Sequence, residues 1–340
     1  PMSDGGTRLA EQVGLEGIDR IVPFDVPLTT RFRGVTRRTG LLLHGSAGWG
    51  EWSPFDEYDD GVAAVWLAAA LDAARVPPPP ARRDVVEVNV TVPAVAADEA
   101  RMIVAASGCR TAKVKVAEPG GTLADDVARV RAVRDVLGPD GRIRIDANAA
   151  WDVATAIDAI GRLEDAAGGL EYVEQPCERL ADLAEVGIAT GVRIAADESI
   201  RRDQADPELV RNAVDVAIIK VQPSGGVTAA LALVERLALP AVISSALETS
   251  VGLAAGVRLA AALPELPFAC GLGTGLLLAD DVVDRPLLPV EGGVETAGAS
   301  GLRLRSDAMD EIQETLNGER WLARLHRVRR MGGSGSDAPS

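Results

Sequence analysis

Short apolar runs rich in β-branched residues recur along the chain beyond residue 85, and polar or amphipathic stretches separate them. In one such stretch Leu123, Val127 and Val130 follow one another at helical spacing, behind a Thr122 and Asp125 pair that is typical of a capping box. The pattern therefore predicts strands that alternate with helices. Eight strand-like runs are found, at Glu87–Val92, Ala112–Val116, Arg142–Asn148, Tyr172–Pro176, Arg193–Ser199, Val216–Val221, Ala241–Leu247 and Phe268–Thr274.

Alternation of strands and helices at this period indicates parallel strands joined by crossover helices, and eight such strands most economically close into a barrel. A doubly wound open sheet is the alternative. It is disfavoured because no strand is followed by a glycine-rich phosphate loop: the stretch from Gly271 to Gly275 lacks the full spacing and comes last in the series.

The first part of the chain has a different pattern of hydrophobic residues. It has strand-like runs at Arg20–Val26 and Gly40–His44 and a helical pattern at about Gly61–Ala74. Four consecutive prolines, Pro77 to Pro80, cannot continue that helix and form a stiff spacer, so we place a domain boundary near residue 84. The predicted organisation is an α+β capping domain at 1–84, a barrel at 85–280, a return to the capping domain at 281–330 with a helix at 307–328, and a flexible tail at 331–340.

Composition and charge narrow the class of protein. With 340 residues, 47% of them hydrophobic, the chain can fill a core of barrel size, and no apolar run reaches the roughly 18 residues of a membrane span. The net charge of −15 repels polyanions, so nucleic acid is not an expected partner. Residues 1–20 lack the apolar segment of an export signal, and the three cysteines form an odd, sparse set, which favours free thiols in the cytoplasm.

Only three of the 35 basic residues are lysines, namely Lys113, Lys115 and Lys220. Codon bias explains that scarcity, but it does not explain why the remaining lysines lie in short apolar runs. A guanidinium stays protonated in proteins, whereas burial can lower the pKa of an ammonium until the group acts as a base. The three lysines are therefore candidate catalytic residues.

Five ionisable residues lie at or near the carboxyl ends of consecutive predicted strands: Lys115, Asp146, Glu174, Asp197 and Lys220, at spacings of 31, 28, 23 and 23 residues. Those ends converge on the catalytic face of a parallel barrel. With eight strands, the two lysines are diametrically opposed and the three carboxylates occupy the arc between them. Converging carboxylates repel one another, so a hard divalent cation, Mg²⁺ rather than Zn²⁺, is the expected occupant.

The spacing of two lysines on one strand bears on which of them is the base. Lys113 and Lys115 are two residues apart, hence on one face, and each is expected to lower the proton affinity of the other. Two other interpretations of the lysines and carboxylates stay open. One is a Schiff-base aldolase, in which a barrel lysine attacks a carbonyl, and the other is a non-catalytic metal- or ligand-binding barrel.

Short motifs surround the candidate residues. They are Lys113-Val-Lys115, Asp146-Ala-Asn148, Glu174-Gln-Pro176 and Asp197-Glu-Ser199, together with Lys220 and the run Gly-Trp-Gly-Glu-Trp-Ser-Pro-Phe at Gly48–Phe55. These motifs resemble the enolase superfamily in its muconate-lactonising subgroup, over roughly residues 20–290. Two stretches, Ala241–Leu253 and Glu174–Cys177, resemble the dehydratases of that subgroup that act in menaquinone biosynthesis more than they resemble its racemases.

The resemblance implies an α/β fold, a modified TIM barrel of (β/α)₇β topology under an α+β capping domain built from the N-terminal segment and the C-terminal tail. It implies that Asp146, Glu174 and Asp197 bind Mg²⁺, with Mn²⁺ as a substitute. Asn148 is expected to support that metal site by hydrogen bonding.

The resemblance also implies roles for the lysines. Lys115 removes the proton α to the carboxylate of a small-molecule substrate, a metal-stabilised enediolate forms, and the same residue then protonates the departing hydroxyl. Lys220 stays cationic and stabilises the intermediate, while Lys113 adjusts the proton affinity of Lys115. The residues that match substrate-contacting positions of the family are Arg144, Ser244 and Gly271.

The eighth run bears on the substrate because it contains no acidic residue. A doubly carboxylated cyclohexadiene, dehydrated to an aromatic product, suits such a strand, and Gly271 and Gly273 could offer it backbone N–H groups. Racemisation of N-acylamino acids is the alternative within the subgroup. The sequence makes no prediction of oligomeric state.

Overall fold

The first part of the chain folds into a three-stranded antiparallel sheet with helices packed on one side, in the computed structural model, which describes residues 5–202, 206–306 and 316–333. Its elements are α1 (Gly5–Val13), β1 (Ile18–Phe32), β2 (Val35–Gly45), β3 (Gly48–Trp52) and α2 (Asp60–Arg75). β1 and β2 are longer than the predicted runs because they pair as one long hairpin, from Ile18 and Gly45 at its base to Phe32 and Val35 at its tip. This sheet lies over the rest of the molecule as a cap.

A parallel sheet of seven strands follows, and each strand pairs with the next one along the chain. β4 (Val85–Glu87) precedes it. Its strands are β5 (Val90–Val92), β6 (Thr111–Lys115), β7 (Arg142–Asp146), β8 (Tyr172–Glu174), β9 (Ile194–Ala196), β10 (Val216–Ile219) and β11 (Ala241–Ile243). The connecting helices are α3 (Ala97–Ser107), α4 (Leu123–Leu137), α5 (Val153–Ala167), α6 (Leu180–Thr190), α7 (Glu198–Arg202), α8 (Pro207–Ala213), α9 (Val221–Ser224), α10 (Val227–Leu237) and α11 (Ser250–Ala262).

The eighth predicted strand forms only in part, yet it closes the barrel. Cys270 pairs with Val88 and Gly271 pairs with Ser244, both as isolated parallel bridges. The backbone N–H of Gly271 donates to Ile243 O at 2.8 Å, and that of Asn89 donates to Cys270 O at 2.9 Å. The segment therefore bonds to strands on both sides, which confirms the modified TIM barrel of seven strand–helix units and a closing strand.

Helix starts follow the predicted local chemistry. The Thr122 side chain accepts the backbone N–H of Asp125 while the Asp125 side chain accepts that of Thr122, so the capping box at α4 is confirmed. The side chain of Asp152 caps α5 in the simpler way, by accepting the N–H of Thr155.

Alternate strand positions divide the barrel core into two parts. Side chains such as Val114, Ile145 and Val173 belong to the large apolar cluster between the sheet and its helices. A smaller apolar cluster, with Tyr172 and Ile218 among its members, fills the barrel interior. The catalytic face is thus supported from below by packed side chains rather than by an open channel.

The segment after the barrel touches both parts of the molecule. β12 (Gly293–Glu295) pairs antiparallel with β4 beside the barrel. α12 (Leu316–Gly333) returns to the cap, where the Trp321 ring lies edge-on to Trp52 at 5.3 Å. Residues 307–315 of the predicted helix and 334–340 of the predicted tail lie outside the described residues, and the tail's residues 331–333 are helical.

None of the helices in the described part of the chain is both long enough and apolar enough to span a membrane. The three cysteines are buried and unpaired.

Candidate active site

The structure brings all five predicted strand-end residues to one end of the barrel. Lys115, Asp146 and Glu174 are the last residues of β6, β7 and β8, and the pairing register places them side by side. Asp197 and Lys220 directly follow β9 and β10. The carboxyl ends of five neighbouring strands therefore present two ammonium groups and three carboxylates, all buried.

Lys113 lies one layer deeper than Lys115 and pairs with two of the carboxylates. Its Nζ is 3.0 Å from both carboxylate oxygens of Glu174 and 3.1 Å from Asp146 Oδ2. Burial alone would lower the pKa of Lys113, but the charges of Glu174 and Asp146 outweigh it and raise that pKa above its usual value. Whatever lowering Lys115 exerts on the pKa of Lys113 is thus outweighed by the two carboxylates, whereas the lowering of the pKa of Lys115 by Lys113 is retained.

Lys115 is held differently. Its Nζ donates to Asp146 Oδ2 and to Asn148 Oδ1, each at 2.6 Å, and lies 5.7 Å from the centre of the Phe32 ring. Burial lowers the pKa of Lys115, and the neighbouring charge of Lys113 lowers it further against the opposing effect of Asp146. Of this pair, Lys115 is the residue whose environment suits a base.

Lys220 faces the same site from β10 and forms an ion pair with Asp197, with Nζ 2.6 Å from Oδ2. Arg201, which sequence reasoning missed, binds the same carboxylate through Nε and Nη2 at 3.0 and 3.2 Å. Burial would raise the pKa of Asp197, but Arg201 and Lys220 outweigh it and lower that pKa. The spacing of Arg201 four residues after Asp197 was a usable signal, because α7 begins at once after the aspartate.

The carboxylates differ in proton affinity. Burial raises the pKa of Glu174 to about 7, and the negative charge of Asp146 adds to the effect. Burial would also raise the pKa of Asp146, but Lys115 and Lys113 lower it instead. Of the three carboxyl groups, Glu174 is therefore the one whose pKa is raised by burial and by the negative charge of its neighbours.

This donor set fits a hard divalent cation. Asp146, Glu174 and Asp197 offer only carboxylate oxygens, at the ends of three adjacent strands, and their mutual repulsion would be relieved by positive charge. Among the described residues, no group of three His, Cys, Asp or Glu side chains is arranged to hold a metal ion. Lys113, Lys220 and Arg201 pair with these carboxylates, so a bound cation would share them with the basic groups.

Two amides fix the backbone and side chains around the acids. Asn148 accepts from Lys115, donates through Nδ2 to Glu198 at 3.1 Å, and its backbone N–H donates to Asp146 Oδ1. Gln175, also missed from the sequence, is fully buried, and its Oε1 accepts the N–H groups of Asp197 and Ser199 at 3.0 and 3.1 Å. Gln175 thereby fixes the start of the loop that carries Asp197.

Arg144, predicted to contact substrate, lies in the barrel interior one layer below Asp146. Its Nε donates to Glu171 Oε2 at 2.5 Å, its Nη1 donates to Ala269 O at 2.7 Å, and its guanidinium lies over the Tyr172 ring. The side chain has no exposed surface. A substrate contact for Arg144 stays a prediction. The observed contacts are those of a buried structural ion pair between Arg144 and Glu171.

Ser244 and Gly271 lie together at the closure of the barrel. A Cβ built on Gly271 would lie 2.4 Å from Ser244 Oγ, so a larger residue there would displace the serine hydroxyl. The N–H of Gly271 donates to Ile243 O. The expectation that this N–H could bind a substrate carboxylate is therefore wrong, because barrel closure already uses it.

A small cavity of about 30 Å³, here called the site cavity, lies between the lysines and the barrel closure. A larger cleft of about 1000 Å³ lies at the opposite, amino-terminal end of the strands and contains none of the predicted site residues. We take the small cavity as the candidate site because the three lysines line it. Its wall is formed by Phe32, Arg33, Thr91, Lys113, Lys115, Asn148, Lys220, Ser244, Ser245, Ala246, Leu247, Gly271 and Thr274.

Comparison with known proteins agrees with this geometry. The sequence matches the families described as Enolase N-terminal domain-like over residues 24–74 and Enolase C-terminal domain-like over residues 95–309. The o-succinylbenzoate synthase of Thermobifida fusca is 57% identical over 310 residues, which cover 90% of this chain and 95% of that protein. The chain belongs to the o-succinylbenzoate synthase family of the enolase superfamily.

Other members of the superfamily support the assignment at two levels. The o-succinylbenzoate synthase of Mycobacterium bovis is 50% identical over 282 residues, or 82% of this chain and 85% of that protein. The structure of muconate lactonizing enzyme from Pseudomonas putida shares the fold, with a TM-score of 0.69 at 21% identity over 87% of this chain and 99% of that one. The superfamily and the branch expected from the motifs are confirmed.

In this member of the o-succinylbenzoate synthase family, a buried carboxyl group of the cap holds a loop of the barrel. Glu51 Oε2 accepts the N–H and hydroxyl of Thr249 at 3.0 and 2.5 Å and the N–H of Gly252 at 3.1 Å, so it caps α11 from another domain. Arg38 on β2 donates to Leu247 O at 2.8 Å. These contacts fix the loop at residues 245–248, which lines the site cavity, and sequence reasoning missed both residues.

Glu51→Gln is expected to change the pH dependence of stability. Burial raises the pKa of Glu51 to about 7, with a further contribution from Glu248. Because folding raises this pKa, the resulting stabilisation is fully present below about pH 4.5 and is lost as the pH rises through about 7. The free energy of unfolding of the wild type should therefore fall by about 2–3 kcal/mol, relative to Glu51→Gln, between pH 5 and 8.

Urea denaturation of both proteins at a series of pH values measures this difference, since titrations common to both cancel. Parallel curves for the two proteins would show that Glu51 ionises in the folded state as it does in the unfolded chain.

Proposed function

We propose that this protein is a Mg²⁺-dependent o-succinylbenzoate synthase, a carbon–oxygen lyase that dehydrates 2-succinyl-6-hydroxy-2,4-cyclohexadiene-1-carboxylate. The observation that carries the proposal is the pair formed by Lys115 and Lys220. Their ammonium groups both face the site cavity and are each anchored on a different carboxylate, Asp146 and Asp197. The high identity to named o-succinylbenzoate synthases supports the choice of this reaction within the superfamily.

Lys115 acts first as the base. As a neutral amine it takes the proton from C1 of the ring, the carbon that bears the carboxylate, and the electron pair of the C–H bond moves toward that carboxylate. Burial lowers the pKa of Lys115, which increases the fraction of neutral amine at working pH. Asp146 and Asn148 hold the nitrogen in place at 2.6 Å each.

Lys115 then acts as the acid. The ammonium formed in the first step gives its proton to the hydroxyl at C6, the C6–O bond breaks, and water leaves as the C1–C6 double bond completes the aromatic ring. One nitrogen thus serves both proton transfers on one face of the ring. Because aromatisation favours the second step, removal of the first proton is the step that depends most on the catalytic groups of the pocket.

Lys220 contributes charge rather than proton transfer. Its ammonium group is held by Asp197 opposite Lys115, where it stabilises the negative charge that develops on the substrate carboxylate. Lys113 is held by Glu174 and Asp146 and stays positively charged, so it disfavours protonated Lys115 before the substrate binds.

Asp146, Glu174 and Asp197 would hold the Mg²⁺, or Mn²⁺ in its place. The cation would supply a Lewis acid next to the substrate carboxylate and would compensate the three acids. The basic residues now paired with these acids, Lys113, Lys220 and Arg201, would then share the carboxylates with it.

The substrate assignment is tested by comparing kcat/KM for the cyclohexadiene with values for a panel of N-acylamino acids and dipeptides, all at saturating Mg²⁺. We expect the diene to be preferred over every member of the panel. Racemisation of N-acylamino acids uses the same two lysines, so some slower activity on them is compatible with the proposal. A panel member that is preferred over the diene would overturn the substrate assignment.

A further inference from the structure

The tip of the β1–β2 hairpin reaches from the cap to the site cavity. Phe32 and Val35 are the last paired residues of the hairpin, and Arg33 and Gly34 form its turn with positive φ angles of 48° and 80°. Phe32 and Arg33 both line the site cavity, and the Phe32 ring lies next to Lys115. The hairpin tip is thus a wall of the site, although the sequence gives it no motif.

Arg33 differs from the other cationic residues of that wall. Lys113, Lys115 and Lys220 each form an ion pair with a strand-end carboxylate. Arg33 has no ion pair or hydrogen bond to any carboxylate among the described residues, and its guanidinium lies over the Phe55 ring at 4.9 Å from the ring centre. The wall therefore carries one positive charge that no acid of the described chain neutralises.

The proposed substrate carries two carboxylates with different needs. The ring carboxylate must lie at the strand ends, where the proton is removed. The carboxylate at the end of the succinyl chain must lie elsewhere, and the lysines at the strand ends are already paired with acids. In a chain of net charge −15 a local cation would offset the repulsion felt by this second carboxylate. Arg144 does not serve, because its guanidinium is sealed in the barrel interior on Glu171.

We propose that Arg33 binds the succinyl carboxylate and so determines specificity for a dicarboxylate, an inference that rests on the function proposed above. A guanidinium can grip a carboxylate through two parallel N–H bonds, which a lysine at this place could not do. Stacking on Phe55 orients the plane of the guanidinium before the substrate arrives, which reduces the conformational entropy lost on binding. Phe55 itself is fixed, since it is buried in the core of the cap.

The test is a cycle of two proteins and two ligands, measured by calorimetry in the presence of Mg²⁺. The ligands are o-succinylbenzoate and its analogue in which the succinyl carboxylate is a primary amide. We expect the wild type to bind the acid roughly 10- to 100-fold more tightly than the amide. Arg33→Ala should remove that preference by weakening binding of the acid, with little change for the amide.

Arg31→Ala is the matched control, because Arg31 lies on the same hairpin, is exposed, and is not part of the cavity wall. It should keep the full preference for the acid, whereas Arg33→Lys should recover part of it. In turnover, Arg33→Ala should raise KM for the diene by a similar factor and leave kcat within about threefold, since no residue at the reacting atoms changes.

The two proposals fail in different ways. An Arg33→Ala variant that still dehydrates the diene and keeps the preference for the acid would overturn the role of Arg33 and leave the reaction standing. A wild type that binds the acid through Arg33 but does not dehydrate the diene would overturn the reaction and leave the role of Arg33 standing. Equal weakening of acid and amide in Arg33→Ala would reduce Arg33 to a structural part of the hairpin and so would also overturn the inference.

Discussion

Lys115→Arg is expected to lower kcat for the diene by roughly 10⁴-fold, even though the positive charge is kept. Arginine stays protonated at neutral pH and cannot accept the proton from the ring carbon. The geometry leaves few substitutes, because Lys113 is engaged by Glu174 and Asp146 and its pKa is raised. Both turnover and exchange of the substrate α-proton with deuterated solvent should be lost.

Lys220→Arg is the companion variant, and its loss should be much smaller. The proposed task of Lys220 needs only a positive charge near Asp197, which already accepts hydrogen bonds from an arginine, Arg201. If exchange of the α-proton survived in Lys115→Arg and vanished in Lys220→Arg, the two lysines would have to exchange roles.

Removal of divalent cations with EDTA is expected to abolish turnover, and added Mg²⁺ or Mn²⁺ should restore it. The ring carboxylate would otherwise gain negative charge beside Asp146, Glu174 and Asp197, and the bases that now hold those acids would have to stabilise the substrate as well. Ala at any of the three positions should abolish both activity and the calorimetric signal of Mg²⁺ binding while the fold persists.

The control for these variants is Asp158→Asn, which removes a charge from the exposed face of α5. It should keep both Mg²⁺ binding and turnover. Full activity after exhaustive EDTA treatment would remove the metal from the proposed mechanism.

The residues of the catalytic face can be predicted well from the sequence because each of them lies at or directly after the end of a strand. Lys115, Asp146 and Glu174 end apolar runs that are strands on hydrophobic pattern alone, and parallel topology then brings the ends together. The eighth strand is harder to predict, since Gly271 and Gly273 replace the β-branched residues of the other runs. Its backbone instead lies close to the neighbouring segment: a Cβ built on Gly273 would lie 2.5 Å from Asn89 O.

The residues that the sequence does not reveal act across long separations. Glu51 binds Thr249, and Arg38 binds Leu247, with about 200 residues between the partners in each case. Arg33 touches the cavity only because a hairpin of the cap is long enough to reach it. No periodicity or local motif encodes such contacts, which depend on how the cap is placed over the barrel.

The capping of α11 by Glu51 has a consequence for how this enzyme could have diverged. The start of α11 depends on a carboxylate that belongs to the cap. A barrel joined to a different cap would leave the N–H groups of Thr249 and Gly252 without that acceptor. Recombination that joins the cap of one ancestor to the barrel of another is therefore penalised unless both carry matching partners at this joint. Cap and barrel are therefore expected to be exchanged only together, although separate segments of the chain form them.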